Sequence, residues 1–460
     1  MTFISVNKDL IGSNLSENKL KKIINIYYGE KVKRDELGEF EQGLYDYLKE
    51  EYPSRERMEQ ALGEITHFDD LSKDFLVMAI NFQISAAEVV YYMASEYSIA
   101  HLDTLFFPMV YLYRQSIELL LKALYFQEIK DQPERKSFIV RTRHDLSTLY
   151  KEVTALSINP DQDKAAYIWL GDFFDNISMF DKMSDSFRYP YKFQIINDGF
   201  DRRLKVKKVL EERKDIDLIK LSTKFSYAFA LLQRLIKETP RECNEIPYAV
   251  DKLSEFIDNP ECSSEFLEEG GNYYLRCVVG EDYRPTDFNR YADAYSECAK
   301  YLYKKHTSDL TENHKSNISS YHPICYLLRN AIELSLKKLC TRCLKYDDAI
   351  ELISTKKHNL LELWNGSQDK HAEGPMNFFP IPHPEQIDFY IKLINAVDGS
   401  SSRFRYPTDN NLEHYNPSSY RYHFGIQYYL LRTCFERIRF TEYIIDEATE
   451  GREDYRELRM

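Results

Sequence analysis

A helical stretch that the chain contains twice constrains its fold more than any other feature. Residues 107–124 read FPMVYLYRQSIELLLKAL and residues 322–339 read HPICYLLRNAIELSLKKL, at a constant offset of 215. Ten of the eighteen positions are identical. Copies that far apart are duplicated domains, not the short units of a solenoid. Good helix formers fill both copies, a proline stands near each start, and most of the surface is apolar. Each copy therefore predicts a helix in the middle of a bundle. One polar stripe remains, Arg114, Glu118 and Lys122 in the first copy and Arg329, Glu333 and Lys337 in the second. The i, i+4, i+8 spacing puts each set on one helix face. Two readings stay open. The stripe is an intrahelical ladder worth a few tenths of a kcal/mol per pair, or it faces a polar groove or the other copy, because charges on an apolar helix need partners or water.

The duplication extends on both sides of this helix. Long helices are predicted from Asp74 and from Asp287, and a charged loop over 130–143 follows the first central helix. His144-Asp145-Leu146 recurs as His358-Asn359-Leu360, with Asp145 and Asn359 placed as helix N-caps. A histidine ahead of a cap serves as a capping or core residue, or organises a site through its readiness to titrate and hydrogen-bond. Further helices over 165–180 and 385–397 lead to a second shared signature, Phe187-Arg188-Tyr189-Pro190 and Phe404-Arg405-Tyr406-Pro407. Proline ends the helix there, so the arginine sits at a junction where it can turn into a cleft. A last helix closes each copy, over 217–237 and 420–447.

The expected fold is all-α: two duplicated antiparallel helical bundles, 67–240 and 287–460, joined by a connection over 241–286. Residues 1–66 form a small helical extension with patches at 19–28 and 40–50. The scarcity of glycine (15) and proline (16) in 460 residues agrees with this. The 36 tyrosines suit helix packing and interfaces as well as base stacking.

A net charge of −13 argues against a generally basic nucleic-acid binder but leaves room for a local basic groove. The best basic run, residues 202–208, reads as a solvated helix face. Cys340 and Cys343 form the only CxxC, without a second pair at metal-ligand spacing, so neither a metal nor any cofactor is expected. The polar start carries no secretory signal, and the longest apolar run, 105–113, is too short to span a bilayer. A cytoplasmic, non-membrane protein with reduced thiols is expected.

The run IELLLKAL, RHDLSTLY and FRYP resembles the HEPN superfamily of helical bundles, and both copies match all three elements in order. The resemblance implies nucleotide or RNA binding, and a place in bacterial stress or anti-phage systems. It also implies, as an alternative, a metal-independent endoribonuclease built from paired bundles. In such nucleases an R-x4–6-H motif from each bundle promotes attack by the ribose 2′-OH. That motif is absent here: Arg405 is followed by His414 only nine residues later, and Arg188 has no nearby downstream histidine. A substitute site would use Arg188 and Arg405 to stabilise phosphate charge, with His144 and His358 as acid/base groups. The cleft between repeats would be lined by Arg114, Glu118, Lys122, Arg329, Glu333 and Lys337, with Tyr189 and Tyr406. Against this stand a buried polar cluster that only orders the bundle, a site for a partner protein or self-association, and a purely structural scaffold.

Overall fold

The computed structural model describes residues 39–457 apart from most of 53–60 and from 66, 96–98, 157–163, 190, 199–200, 211, 241–252, 261, 281–287, 310–319, 369–383 and 416–419. The patch expected at 19–28 lies outside the described residues. In chain order come α1 (Glu39–Glu51), β1 (Leu62–Ile65), α2 (Leu71–Ser95), α3 (Ile99–Glu128), α4 (Gln132–Thr142), α5 (Leu146–Ala155) and α6 (Ala165–Asp181). They are followed by β2 (Tyr191–Asp198), β3 (Asp201–Lys208), β4 (Lys214–Asp217), α7 (Leu218–Gln233), α8 (Leu253–Asp258) and β5 (Arg276–Val279). The second half holds α9 (Asn289–Asp309), α10 (Tyr321–Cys343), α11 (Tyr346–Lys356), α12 (Leu360–Ser367), α13 (Pro384–Asp398), β6 (Tyr420–His423) and α14 (Phe424–Glu457). The body is a set of packed helices. Among the described residues strands occur in three antiparallel pairs, β1–β6, β2–β3 and β4–β5.

The two repeated helices, α3 and α10, lie at the centre. Every residue from Leu105 to Phe126 and from Pro323 to Lys337 is buried. A helix apolar nearly all round has no face to give to water, so its neighbours must cover all of it. α2 and α7 cover α3, and α9 and α14 cover α10. One continuous hydrophobic core runs through both halves. Its seam is aromatic: Tyr111 stacks on Tyr326 at 4.4 Å, and Tyr92 on Tyr301 at 4.3 Å.

The terminal and connecting segments cross between the halves. β1, from the extension, pairs with β6 in the second half, and Tyr52 shares a 2.7 Å hydroxyl hydrogen bond with Tyr303 of α9. The connection packs on the first half, where the Trp169 indole donates to the Cys262 carbonyl at 2.9 Å and β5 pairs with β4.

Four expectations are corrected. The charged loop at 130–143 is mostly the helix α4, started by Asp131 accepting from the Glu134 N–H at 3.0 Å with a proline in its first turn. The basic run 202–208 is strand β3, not a helix face. Pro108 lies inside α3, because that helix begins more than two turns earlier, at Ile99. Asp145 holds the N-cap position of α5 without accepting from a backbone N–H of its first turn, and instead accepts from the Thr148 and Ser178 hydroxyls; Asn359 does cap α12.

Among the described residues one helix, α2, is long and apolar enough by composition to cross a membrane, and 61% of its most apolar window is buried in the protein. The expectation from apolar runs pointed at α3 and overlooked it.

Candidate functional site

The polar stripes combine the two alternatives, forming the ladder and meeting the other copy through Glu118 and Lys337. In α3, Arg114 reaches Glu118 at 2.9 Å and Lys122 reaches it at 2.7 Å; in α10 the corresponding distances from Arg329 and Lys337 to Glu333 are both 2.7 Å. The ladder is formed, but it is buried, with side-chain exposures from 0% to 5%. Energies of solvent-exposed pairs therefore do not apply to it.

Each buried arginine anchors the backbone of its own half. Arg114 pairs with Asp181 at 2.8 Å and donates to the His144 carbonyl at 2.5 Å. Arg329 pairs with Asp398 at 3.6 Å and donates to the His358 carbonyl at 2.5 Å. Arg114, Glu118, Arg329 and Glu333 thus lie beneath the site and do not line it, contrary to the expected cleft. What they do is hold the histidines. His144 Nδ1 is 2.9 Å from Glu118 Oε1, and His358 Nδ1 is 3.0 Å from Glu333 Oε1.

The tyrosine of each FRYP junction completes the histidine of the other half. Tyr406 donates to Glu118 Oε1 at 2.7 Å and lies 3.1 Å from His144 Nδ1. Tyr189 lies 2.7 Å from His358 Nδ1 and accepts from Arg188 at 2.6 Å. The lysines sit over the same rings, Lys122 at 4.6 Å from the Tyr406 centroid and Lys337 at 3.9 Å from that of Tyr189. Asn330 donates to the Arg188 carbonyl and Gln115 to the Arg405 carbonyl, which fixes each junction against the opposite central helix.

Two clefts result where one was expected. The first, of about 400 Å³, is lined by Lys122, Arg143, His144, Arg405, Tyr406 and Asp409 among others. The second, of about 440 Å³, is lined by Lys182, Lys337, Lys357, His358, Tyr189 and Asp185 among others. The two junction arginines differ: Arg405 lines the first cleft, whereas Arg188 lies behind Tyr189 with its guanidinium over that ring at 4.9 Å.

The electrostatics follow from burial set against near neighbours. Burial opposes charge on Glu118, yet Lys122, His144 and Arg114 together hold its carboxyl well below the usual range. Lys337, His358 and Arg329 do the same for Glu333. Burial pulls His144 and His358 down despite the adjacent carboxylates, so both are neutral near pH 7. Burial also lowers Lys122 and Lys337 against the pull of their glutamates. A neutral imidazole whose Nδ1–H is held by a carboxylate keeps Nε2 as a proton acceptor. Both histidines remain 29% exposed, so that acceptor is reachable from water.

Arg143 and Lys357 were missed by sequence reasoning. Each closes a helix (α4, α11) just before the repeated histidine, with φ of +50° and +48°, a conformation that ordinarily selects glycine. The signal was present as a basic residue ahead of the histidine in both copies.

No protein-family model, curated protein or solved structure matches the chain.

Proposed function

We propose that the two clefts bind a phosphate-bearing ligand, a nucleotide or a segment of RNA, in a tandem HEPN-like protein. One observation carries this. In a chain of net charge −13, each cleft gathers three lysine or arginine side chains, a carboxylate-held histidine and two tyrosines, against one aspartate in the first and two in the second. Concentrating cations in a concave site of an acidic protein favours an anionic ligand there and disfavours loose contact elsewhere. Volumes of about 400 and 440 Å³ suit a small ligand or one to two nucleotides. The HEPN-like reading, two duplicated bundles of that family, rests on the three motifs occurring twice in order. A role in bacterial stress or anti-phage defence rests on that resemblance alone.

The test is binding of single-stranded RNA and of mononucleotides, followed by fluorescence anisotropy over a salt series. Arg143→Ser with Lys357→Ser removes a rim cation from each cleft without touching the buried ladder. We expect the double variant to lose roughly tenfold or more in affinity at each cleft and to flatten the salt dependence by about one charge per bound ligand. Unchanged affinity and slope would sink the reading.

A second reading, a divergent metal-independent endoribonuclease, is favoured by the Glu118–His144 and Glu333–His358 pairs. A carboxylate-held histidine can take the proton of a ribose 2′-OH while that oxygen attacks phosphorus, and the neighbouring cations stabilise the added charge. The 5′-oxygen then leaves and takes a proton from solvent. Cleavage in EDTA that is lost in His144→Gln with His358→Gln supports it; cleavage indifferent to those changes removes it.

A further inference from the structure

We propose that His67, Asp74 and His414 form a divalent-metal site with two imidazoles and one carboxylate, suited to Zn²⁺, beside the first cleft only. The residues come from two distant parts of the chain: His67 and Asp74 from the link before α2 and its first turn, and His414 from the loop after the second FRYP junction. That loop folds back on itself, with Thr408 bridged to His414.

Asp74 reaches both rings, Oδ1 lying 3.7 Å from His67 Nδ1 and Oδ2 lying 3.6 Å from His414 Nε2. One donor atom from each residue falls within 4.8 Å of the other two. These separations are long for hydrogen bonds. They are close to those of ligands sharing an ion, since atoms bound at about 2.0–2.2 Å around a tetrahedral metal stand roughly 3.3–3.6 Å apart. The imidazole rings face each other at 4.1 Å, tilted by 35°. Packed in this way the two rings make no hydrogen bond to each other.

Burial strengthens the argument. Asp74 is 7% exposed, and its Oδ2 accepts no hydrogen bond among the described residues. An orphaned buried carboxylate oxygen is costly, and a metal ligand bond satisfies it. Oδ1 accepts the Phe68 N–H at 3.2 Å, the kind of outer contact that orients a ligating carboxylate. A cavity of about 60 Å³ bordered by His67 and Asp74 has room for a water as fourth ligand. Imidazole nitrogens favour Zn²⁺ and its neighbours in the transition series over Mg²⁺ or Ca²⁺. The sequence expectation of no metal rested on the lack of a local ligand motif, which a site that draws its third ligand from the other half of the chain does not have.

Such an ion would tie the loop at 408–415 to α2. Phe75, next to Asp74, and Tyr415, next to His414, both line the first cleft. In the second half, by the registers of the long helix and of FRYP, Gly280 and Asn197 stand where the histidines would be.

The experiment uses the full chain, stripped with a chelator and titrated with Zn²⁺ and with Co²⁺ as a visible probe. We expect one ion per chain, a Co²⁺ spectrum of low-coordinate nitrogen and oxygen ligation, and an affinity loss of more than about 100-fold in His67→Ala and in His414→Ala. Should either variant fail to fold, Zn²⁺ protection of His67 and His414 from diethyl pyrocarbonate in the wild-type chain, mapped by mass spectrometry, gives the same answer. Stoichiometric binding that survives the double substitution, or no stoichiometric binding by the wild-type chain, overturns the proposal.

Discussion

The two clefts share a kernel and differ in their walls. Glutamate to lysine is 2.7 Å in both, glutamate to histidine is 2.9 and 3.0 Å, and the opposite half supplies a tyrosine 3.1 or 2.7 Å from the imidazole. The walls come from segments that do not repeat. The first cleft is closed by the Asp409 loop with its neighbouring His67–Asp74–His414 cluster, the second by Tyr191 at the start of β2 and by Phe288. The kernel therefore holds whatever chemistry the halves have in common, and the walls decide what each cleft admits. Because each tyrosine crosses to the other half, neither cleft exists in an isolated half.

If the kernels are equivalent, cutting the same bond in each must cost the same. Glu118→Ala leaves Arg114 and Lys122 as buried charges without their shared carboxylate, and Glu333→Ala does so for Arg329 and Lys337. Each should destabilise the fold by about 3–5 kcal/mol in urea denaturation. A large loss in one and almost none in the other would show that one ladder alone holds the core together.

The crossing tyrosines separate the clefts from each other. Tyr406→Phe removes the hydroxyl that donates to Glu118, and Tyr189→Phe the one beside His358. Each should cost roughly 1–3 kcal/mol of stability. More tellingly, each should reduce ligand stoichiometry from two per chain to one. A single substitution that abolished both sites would mean that the clefts act as one.

Acid should weaken the fold in two stages. The folded-state values of His144 and His358 are depressed by burial, so the unfolded chain takes up protons first. Stability is full above the unfolded histidine value of about 6.5 and falls as pH drops below it. Glu118 and Glu333, also depressed, contribute stability above the unfolded carboxyl value of about 4.3 and lose it at lower pH. Melting temperatures should hold from pH 8 to about 6.5, fall below it, and fall again below about 4.3 in a series carried to pH 2, and a His144→Gln, His358→Gln variant should lose the first stage only. A first stage that persists in that variant assigns it to other groups.

Much of this was legible because the chain can be aligned with itself. The burial of α3 and α10 follows from their apolar surface, and the convergence of Glu118, His144 and the FRYP tyrosines from three motifs kept in one order. What escaped has specific causes. Nothing local to Tyr189 tells which half it faces, so the exchange between halves was invisible. α4 looked like a loop because its charges mask a short apolar face; Arg135, buried, bonds to the Phe126 and Ile129 carbonyls and so joins the core by its donors. β3 looked helical because lysine and arginine dominate it, although Leu204 and Val206 alternate with them at strand period.

The smallest expected effect is the one that best separates folding from function. Arg143 and Lys357 hold positive φ at the ends of α4 and α11, where a side chain costs energy that glycine avoids. Each closes its helix by donating its N–H to the carbonyl of Ile139 or Ile353, a bond that glycine would keep. If these residues served the fold alone, glycine would improve on them. Arg143→Gly and Lys357→Gly should therefore leave stability unchanged or raise it by up to about 1 kcal/mol. The same substitutions remove a cation from the rim of each cleft and should weaken binding of a phosphate-bearing ligand there. Gain in the melt with loss in binding identifies the strained cation as kept for the ligand. Loss in both would place Arg143 and Lys357 among the residues that hold the helices, and would leave Lys122 and Lys337 as the cations that matter in the clefts.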